Sequence, residues 1–114
     1  MEIRDVIQKA IVQRRRLEFQ YEGAPRVVEP QILGINQKGN EVLNGLLVSG
    51  HSESHGQGQL RDYVTSKIKK PKLRQERFSL PHPEYKPGGG KKFKIIICEL
   101  LPRRSTPIRS RIAE

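Results

Sequence analysis

Two histidines four residues apart, His51 and His55, are the first candidates for chemistry in this chain of 114 residues. Such a pair can hold a metal ion when both imidazoles lie on one face of a helix. Here the segment HSESHGQGQ is rich in Gly and Ser, which disfavour a helix. The remaining histidine, His82, lies in a separate Pro/Gly-rich segment. We therefore predict no metal site and expect a loop, either solvated without a task or one in which His51 donates to a phosphate.

A basic and aromatic set follows this loop, in LRDYVTSKI. Arg61 and Tyr63 have the same parity on a strand and face one side, as does Lys67 if the strand continues without a bulge. A guanidinium can hold a phosphate through two hydrogen bonds while a neighbouring phenol ring stacks on a base. The alternative is that Tyr63 belongs to the core and Arg61 covers its edge.

The net charge of +10 is unevenly placed. Residues 1–59 contain seven Lys/Arg and seven Asp/Glu, whereas residues 60–114 contain fifteen and five. Basic side chains that neutralise phosphates release counterions, so this distribution favours an anionic partner such as single-stranded nucleic acid or a nucleotide. A solvated basic surface is the alternative. Arg14 and Arg16 belong to RRR, which either complements the end of a helix dipole or contributes to ligand binding.

The sequence shows no enzyme signature, and we predict neither catalysis nor a cofactor. GGGKK lacks the spacing of a phosphate-binding loop and precedes an apparent strand rather than a helix. The one cysteine, Cys98, excludes an intramolecular disulfide and lies in an apolar segment, where we expect it to be buried and inert. No apolar stretch approaches a membrane span and the N-terminus carries charges, so we expect a cytoplasmic protein.

The elements that would position these residues belong to one domain over 1–100. Apolar residues at helical spacing predict a helix over 2–14, and alternation from Leu17 predicts strands over 17–100. Pro30 suggests an edge or a bend, Gly45 a bulge, and NQKGN a hairpin turn with Gly39 at positive φ. A Pro/Gly-rich loop over 79–92 precedes the last strand, and 101–114 is expected to be a disordered basic tail. One helix followed by about five short strands indicates a small, mainly β domain folded as a five-stranded barrel.

An ordered set of segments resembles the WYL domain, a bacterial module with an Sm-like β-barrel preceded by a helix. The set comprises RRRLEFQYEG, RVVEPQILGI, a KGN turn, and LRDYVTSKI followed by ERF, and it covers roughly residues 3–78. Of the namesake Trp-Tyr-Leu triplet, expected at residues 41–43, only Leu43 matches. The family's Arg-x-Phe-Arg-x-Asp-Arg-Ile segment corresponds to residues 61–68, where Val64 replaces an arginine and Ser66 an aspartate.

The resemblance implies a ligand-sensing or regulatory module that binds nucleic acid or nucleotides, of a family often attached to helix-turn-helix regulators or associated with bacterial defence. This chain has no segment for a helix-turn-helix, so we expect a free-standing module. The candidate ligand residues are Arg61, Tyr63, Lys67, Arg14, Arg16 and His51. The alternative is a protein-binding adaptor that docks on a larger effector through a sheet edge or the tail. A homodimer remains open.

Overall fold

The computed structural model describes residues 2–50, 60–78 and 92–100, which form one helix and six strands. The elements are α1 (Ile3–Gln13), β1 (Arg15–Tyr21), β2 (Ala24–Asn36), β3 (Glu41–Gly50), β4 (Leu60–Val64), a 3₁₀ turn (Thr65–Lys67), β5 (Lys69–Arg77) and β6 (Phe93–Glu99). The prediction of a mainly β fold with one N-terminal helix is confirmed. The predicted tail over 101–114 lies outside the described residues. In the part of the chain that is described, no helix has the length and apolar character needed to cross a membrane.

Helix α1 ends where the sequence predicted. Arg14 adopts a left-handed conformation with φ of 55°, and its backbone N–H donates to the carbonyls of Ala10 and Ile11. This geometry closes the last turn and redirects the chain into β1. The buried face of the helix consists of Ile7, Ala10 and Ile11, as the helical spacing of apolar residues required.

The strands form one open antiparallel sheet, so the prediction of a closed five-stranded barrel is wrong. The main path runs in the order β4-β3-β2-β1-β5, and β6 joins as a sixth strand by pairing with β2. Closing a barrel requires the two outer strands of this path, β4 and β5, to pair. Instead β4 ends at Val64 and passes into the 3₁₀ turn, while a register shift and Pro71 interrupt β5.

Strand β2 is the centre of the sheet. It pairs with β3 along nearly its whole length, with β1 over its first half and with β6 over its second half. Pro30 therefore does not lie in an edge strand, contrary to one of the two predictions. It lies at a bend, because the register with β3 shifts between Pro30 and Ile32. Gly45 pairs with Pro30 at this irregularity, where a side chain on Gly45 would collide with Val28.

The predicted hairpin turn between β2 and β3 is confirmed. The Asn36 side-chain carbonyl accepts hydrogen bonds from the backbone N–H groups of Lys38 and Asn40, at 3.0 and 2.9 Å. Gly39 has φ of 88°, a conformation that glycine adopts without steric cost. The Asn36 amide and Gly39 therefore fix the register of the long β2–β3 pair.

The hydrophobic residues divide between the two faces of the sheet. The inner face, which α1 covers, carries the main core: Leu17, Phe19, Tyr21, Val28, Leu33, Leu43, Leu47, Tyr63, Ile68, Phe78 and Leu100. A smaller cluster consists of Ile32, Val42 and Phe93. Cys98 is only half-buried, and burial together with the Glu99 charge raises the pKa of its thiol. A raised thiol pKa fits the predicted inert role.

Candidate anion-binding site

Three aromatic rings meet on the inner face between β1 and β4. Tyr63 lies with its ring centroid 5.2 Å from that of Phe19 and 5.0 Å from that of Tyr21, both in edge-to-face geometry. The Tyr63 side chain is only 2% exposed. Its ring is thus part of the core, and the predicted stacking of a base on this ring does not fit its burial.

The hydroxyl of Tyr63 is the unusual feature of this cluster. It is buried and has no hydrogen-bond partner among the described residues. By contrast, the hydroxyl of Tyr21 accepts a hydrogen bond from the backbone N–H of Val64 at 3.1 Å. Burial raises the pKa of Tyr63 to about 12, although the positive charges of Arg26 and Arg61 act to lower it. The phenol is therefore neutral at physiological pH and retains a proton to donate.

Arg26 is one of the two cations whose charge acts on the Tyr63 phenol, and sequence analysis did not find it. Arg26 is 9% exposed, and its Nη2 donates to the backbone carbonyl of Tyr21 at 3.2 Å. The guanidinium carbon lies 6.0 Å from the centre of the Tyr21 ring, within the range of a cation–π contact. The sequence did contain a signal for Arg26. It lies two residues before the buried Val28 on β2, so both side chains point to the same face of the sheet.

Arg61 is the second cation. It is half-buried on β4 and pairs with Gly45 of β3, while Tyr63 pairs with Leu43. Asp62 lies between them on the other face, where its carboxylate accepts from the Asn44 amide and forms an ion pair with Lys92. The prediction that Arg61 and Tyr63 share a face of one strand is therefore correct.

Lys67 does not join this pair. The strand ends at Val64, and Lys67 lies in the 3₁₀ turn with an exposed side chain. The alternation of side chains that would have brought Lys67 beside Arg61 stops with the strand. Lys67 lines a different groove, together with Ser66 and Lys69.

The two N-terminal candidates have structural contacts. Arg14 forms the end of α1, and its carbonyl accepts from the backbone N–H of Phe78 at 2.9 Å. Arg16 donates through Nε to a carboxylate oxygen of the buried Glu29 at 3.0 Å, and its Nη2 forms an ion pair with the same oxygen at 3.0 Å. Breaking this partly buried pair would leave the Glu29 charge uncompensated. Neither arginine is brought to the Tyr63 hydroxyl by a described contact.

The histidine loop adds nothing to the described site, because His51, His55 and His82 all lie outside the described residues. Within residues 2–50, 60–78 and 92–100, no three His, Cys, Asp or Glu side chains are grouped so that they could hold a metal ion. The candidate site therefore consists of Arg26, Arg61 and the Tyr63 hydroxyl.

The chemistry of this site is that of hydrogen-bond donation to an anion. Guanidinium groups donate and do not accept, and a neutral phenol can donate its proton. Besides burial, the groups among the described residues that act on the Tyr63 pKa are the cations Arg26 and Arg61 and the phenol of Tyr21. Comparison of the chain with protein-family models, with curated proteins and with solved structures finds no match. The functional argument therefore depends on the geometry of this site.

Proposed function

We propose that this protein is a non-catalytic module that binds a nucleotide-type anion through Arg26, Arg61 and the Tyr63 hydroxyl. The observation that carries the proposal is the buried Tyr63 hydroxyl, which has no partner among the described residues. The positive charges of Arg26 and Arg61 act on this phenol and lower its pKa against the effect of burial. A buried donor without a partner costs about 1–3 kcal/mol. A phosphate oxygen would accept from this hydroxyl and remove the cost.

The position of the two arginines supports a phosphate as the group that is bound. Arg26 lies on β2 and Arg61 on β4, so the two positive charges come from two different strands. A phosphate offers several acceptor oxygens and can bind both. Because the Tyr63 ring is enclosed by Phe19 and Tyr21, the site would recognise the phosphate rather than the base.

The resemblance to WYL domains supports the same function. Arg61 and Tyr63 lie in the segment that matches the family's basic and aromatic motif, and Arg26 begins the RVVEP segment. A sensing or regulatory role and a link to bacterial defence or transcription remain part of this proposal.

The proposal is tested by titrating ATP into the protein by calorimetry. We expect Arg61→Gln to weaken ATP binding roughly 10- to 150-fold, since a hydrogen bond to a charged group contributes about 1.5–3 kcal/mol. Tyr63→Phe should weaken binding less, because it removes a neutral donor.

Arg4→Gln is the matched control, because it removes one exposed arginine that pairs with Glu41 across a different surface. Its ATP affinity should equal that of the wild type. Thermal unfolding of each variant establishes that it is folded. A folded Arg61→Gln variant with undiminished ATP affinity would exclude the site, and retention of one protein partner at high salt would then favour the adaptor function.

A further inference from the structure

A second basic surface lies on the 3₁₀ turn and β5. Residues 65–77 carry six Lys/Arg and one Asp/Glu. The net charge of this segment is therefore +5, which is half of the +10 of the chain. Five of these basic residues are exposed and form no ion pair within the described residues, and four of them are the lysines of the 3₁₀ turn and the first half of β5: Lys67, Lys69, Lys70 and Lys72. We call these four the lysine strip. Arg74 is not part of it, because Glu18 and Glu76 both bind its guanidinium.

The register of β5 brings two of these lysines onto one face. Gln20 pairs with Lys69 and Glu18 pairs with Lys72, so three steps along β5 match two steps along β1. In a regular strand, residues three apart face opposite sides. The extra residue forms a bulge, and Lys69 and Lys72 consequently lie on the same face as Gln20 and Glu18.

Lys70 gives the bulge its geometry. Its φ is 52°, a left-handed conformation that glycine adopts freely and that costs other residues energy. A lysine at this position retains a positive charge where glycine would be the better residue for the backbone. The positive charge of Lys70 is therefore present at the cost of local backbone strain.

Two of the lysines line a groove on this surface. Lys67 and Lys69 border a space of about 600 Å³ together with Ser66, Gly23 and Gln20. Glu22 is the one carboxylate that lines it. Lys72 lines the neighbouring groove along β1 and β5. Glu18 and Glu76 also line this second groove, but both carboxylates bind the Arg74 guanidinium. Three lysines of the strip therefore line grooves, two in the first and one in the second.

Protection of a sheet edge is the competing explanation, since lysines and prolines on edge strands prevent pairing with other chains. Pro71 fits that role. Edge protection also accounts for the bulge at Lys70, since bulges are one of the devices that protect edge strands. It does not account for Lys67, which lies in the 3₁₀ turn before β5 and lines a groove together with Lys69.

We propose that the lysine strip binds the phosphodiester backbone of a single-stranded nucleic acid, so that the ligand is a polynucleotide rather than a free nucleotide. This inference rests on the proposed function for the class of ligand, but it uses different residues. At about 3.3 Å per residue, the stretch from Lys67 to Lys72 has the reach to contact successive phosphates of an extended strand. Such contacts give affinity without sequence preference.

The test compares two triple variants that remove the same charge. The strip variant is Lys69→Gln/Lys70→Gln/Lys72→Gln. The control is Lys9→Gln/Lys38→Gln/Lys94→Gln, whose lysines are exposed on α1, on the β2–β3 turn and on β6. Binding of a fluorescent oligothymidine of roughly 15 nucleotides is measured by anisotropy across a range of salt concentrations.

We expect the strip variant to lose about 2 from the slope of log affinity against log salt, because each phosphate contact contributes roughly 0.7 on a single strand. At about 0.1 M salt this corresponds to a loss of affinity of roughly 100-fold. The control should lose much less. Equal losses in the two variants would show diffuse electrostatics and overturn the proposal, as would a strip variant with wild-type affinity.

Two further measurements distinguish a failure of the lysine strip from a failure of the anion site and from damage to the fold. The strip variant should bind ATP with the affinity of the wild type. If the anion site is wrong, ATP binding will not depend on Arg61. If the lysine strip is wrong, the strip variant will bind the oligonucleotide no more weakly than the control does. Lys70→Gly should retain or raise the melting temperature while lowering the salt slope by about 0.7. An unchanged slope in this variant would count against the strip.

Discussion

At the scale of single residues, the Tyr63 hydroxyl of the proposed anion site should also affect stability. Its ring fills the core between Phe19 and Tyr21, yet its oxygen has no described partner. The phenylalanine variant keeps the ring and removes only the oxygen. We expect Tyr63→Phe to raise the free energy of unfolding by about 1 kcal/mol without ligand, because it removes a buried polar group that lacks a partner. Urea unfolding checks this, and a loss of stability would indicate a hydrogen bond to this hydroxyl.

The raised pKa of Tyr63 predicts a specific alkaline sensitivity. The phenol ionises near pH 10 when the chain is unfolded and at about 12 in the fold. Between these values the unfolded chain loses the proton first, so stability is complete below pH 10 and falls as the pH rises towards 12. We expect this group to account for a loss of roughly 2–3 kcal/mol across that window. Urea unfolding of wild type and Tyr63→Phe at several alkaline pH values should show a smaller decline in the variant.

Sequence patterns predicted part of this site. Strand parity was enough to place Arg61 beside Tyr63, because both lie within one uninterrupted strand. Arg26 was missed because it comes from a strand remote in sequence, and pairing between strands decides which residues meet. Lys67 was misplaced because the chain leaves the strand after Val64, a change of geometry that the alternating pattern does not reveal.

At the scale of elements, Gly34 determines how β6 packs on β2. A Cβ at Gly34 would collide with the carbonyl oxygen of Ile95 and would lie 2.8 Å from Cδ1 of Phe93. We expect Gly34→Ala to destabilise the protein by about 1–3 kcal/mol, because backbone and a buried ring must both move. Ile95→Ala on the same strand is the control, since Ile95 is 53% exposed and its truncation should cost less than Gly34→Ala. Chemical unfolding of both variants measures the difference, and equal losses would contradict it.

The helix, the strands and the β2–β3 turn followed from local rules. The helical spacing of apolar residues predicted α1, and Gly39 in NQKGN predicted the turn. The openness of the sheet did not follow, because closure depends on whether β4 and β5 meet. The position of Pro30 within a central strand also escaped prediction, since the bulge that accommodates it involves Gly45 on another strand.

At the scale of the whole molecule, the contribution of the proposed anion site to binding can be compared with that of the C-terminal charges. Removing residues 102–114 deletes four arginines and one glutamate, a loss of three positive side-chain charges. Arg26→Gln with Arg61→Gln removes only two. We expect the double variant to weaken ATP binding more than the truncation, because dispersed charges are screened over roughly 8 Å at physiological salt. Calorimetry on both proteins at one salt concentration decides the order, and a larger effect of the truncation would favour general attraction.

The way β2 shares its second half with β6 has a consequence for the order of folding. β1, β2 and β3 are joined by short turns, whereas β6 pairs with residues at least 57 positions earlier, as between Phe93 and Asn36. Closing such a long loop costs more entropy than forming a hairpin, so β6 should dock after β2 and β3 have paired and detach before they separate. In native-state hydrogen exchange, the β6 amides should open with a lower free energy than those that join β2 to β3. If β6 opens only together with the whole sheet, the six strands form a single cooperative unit.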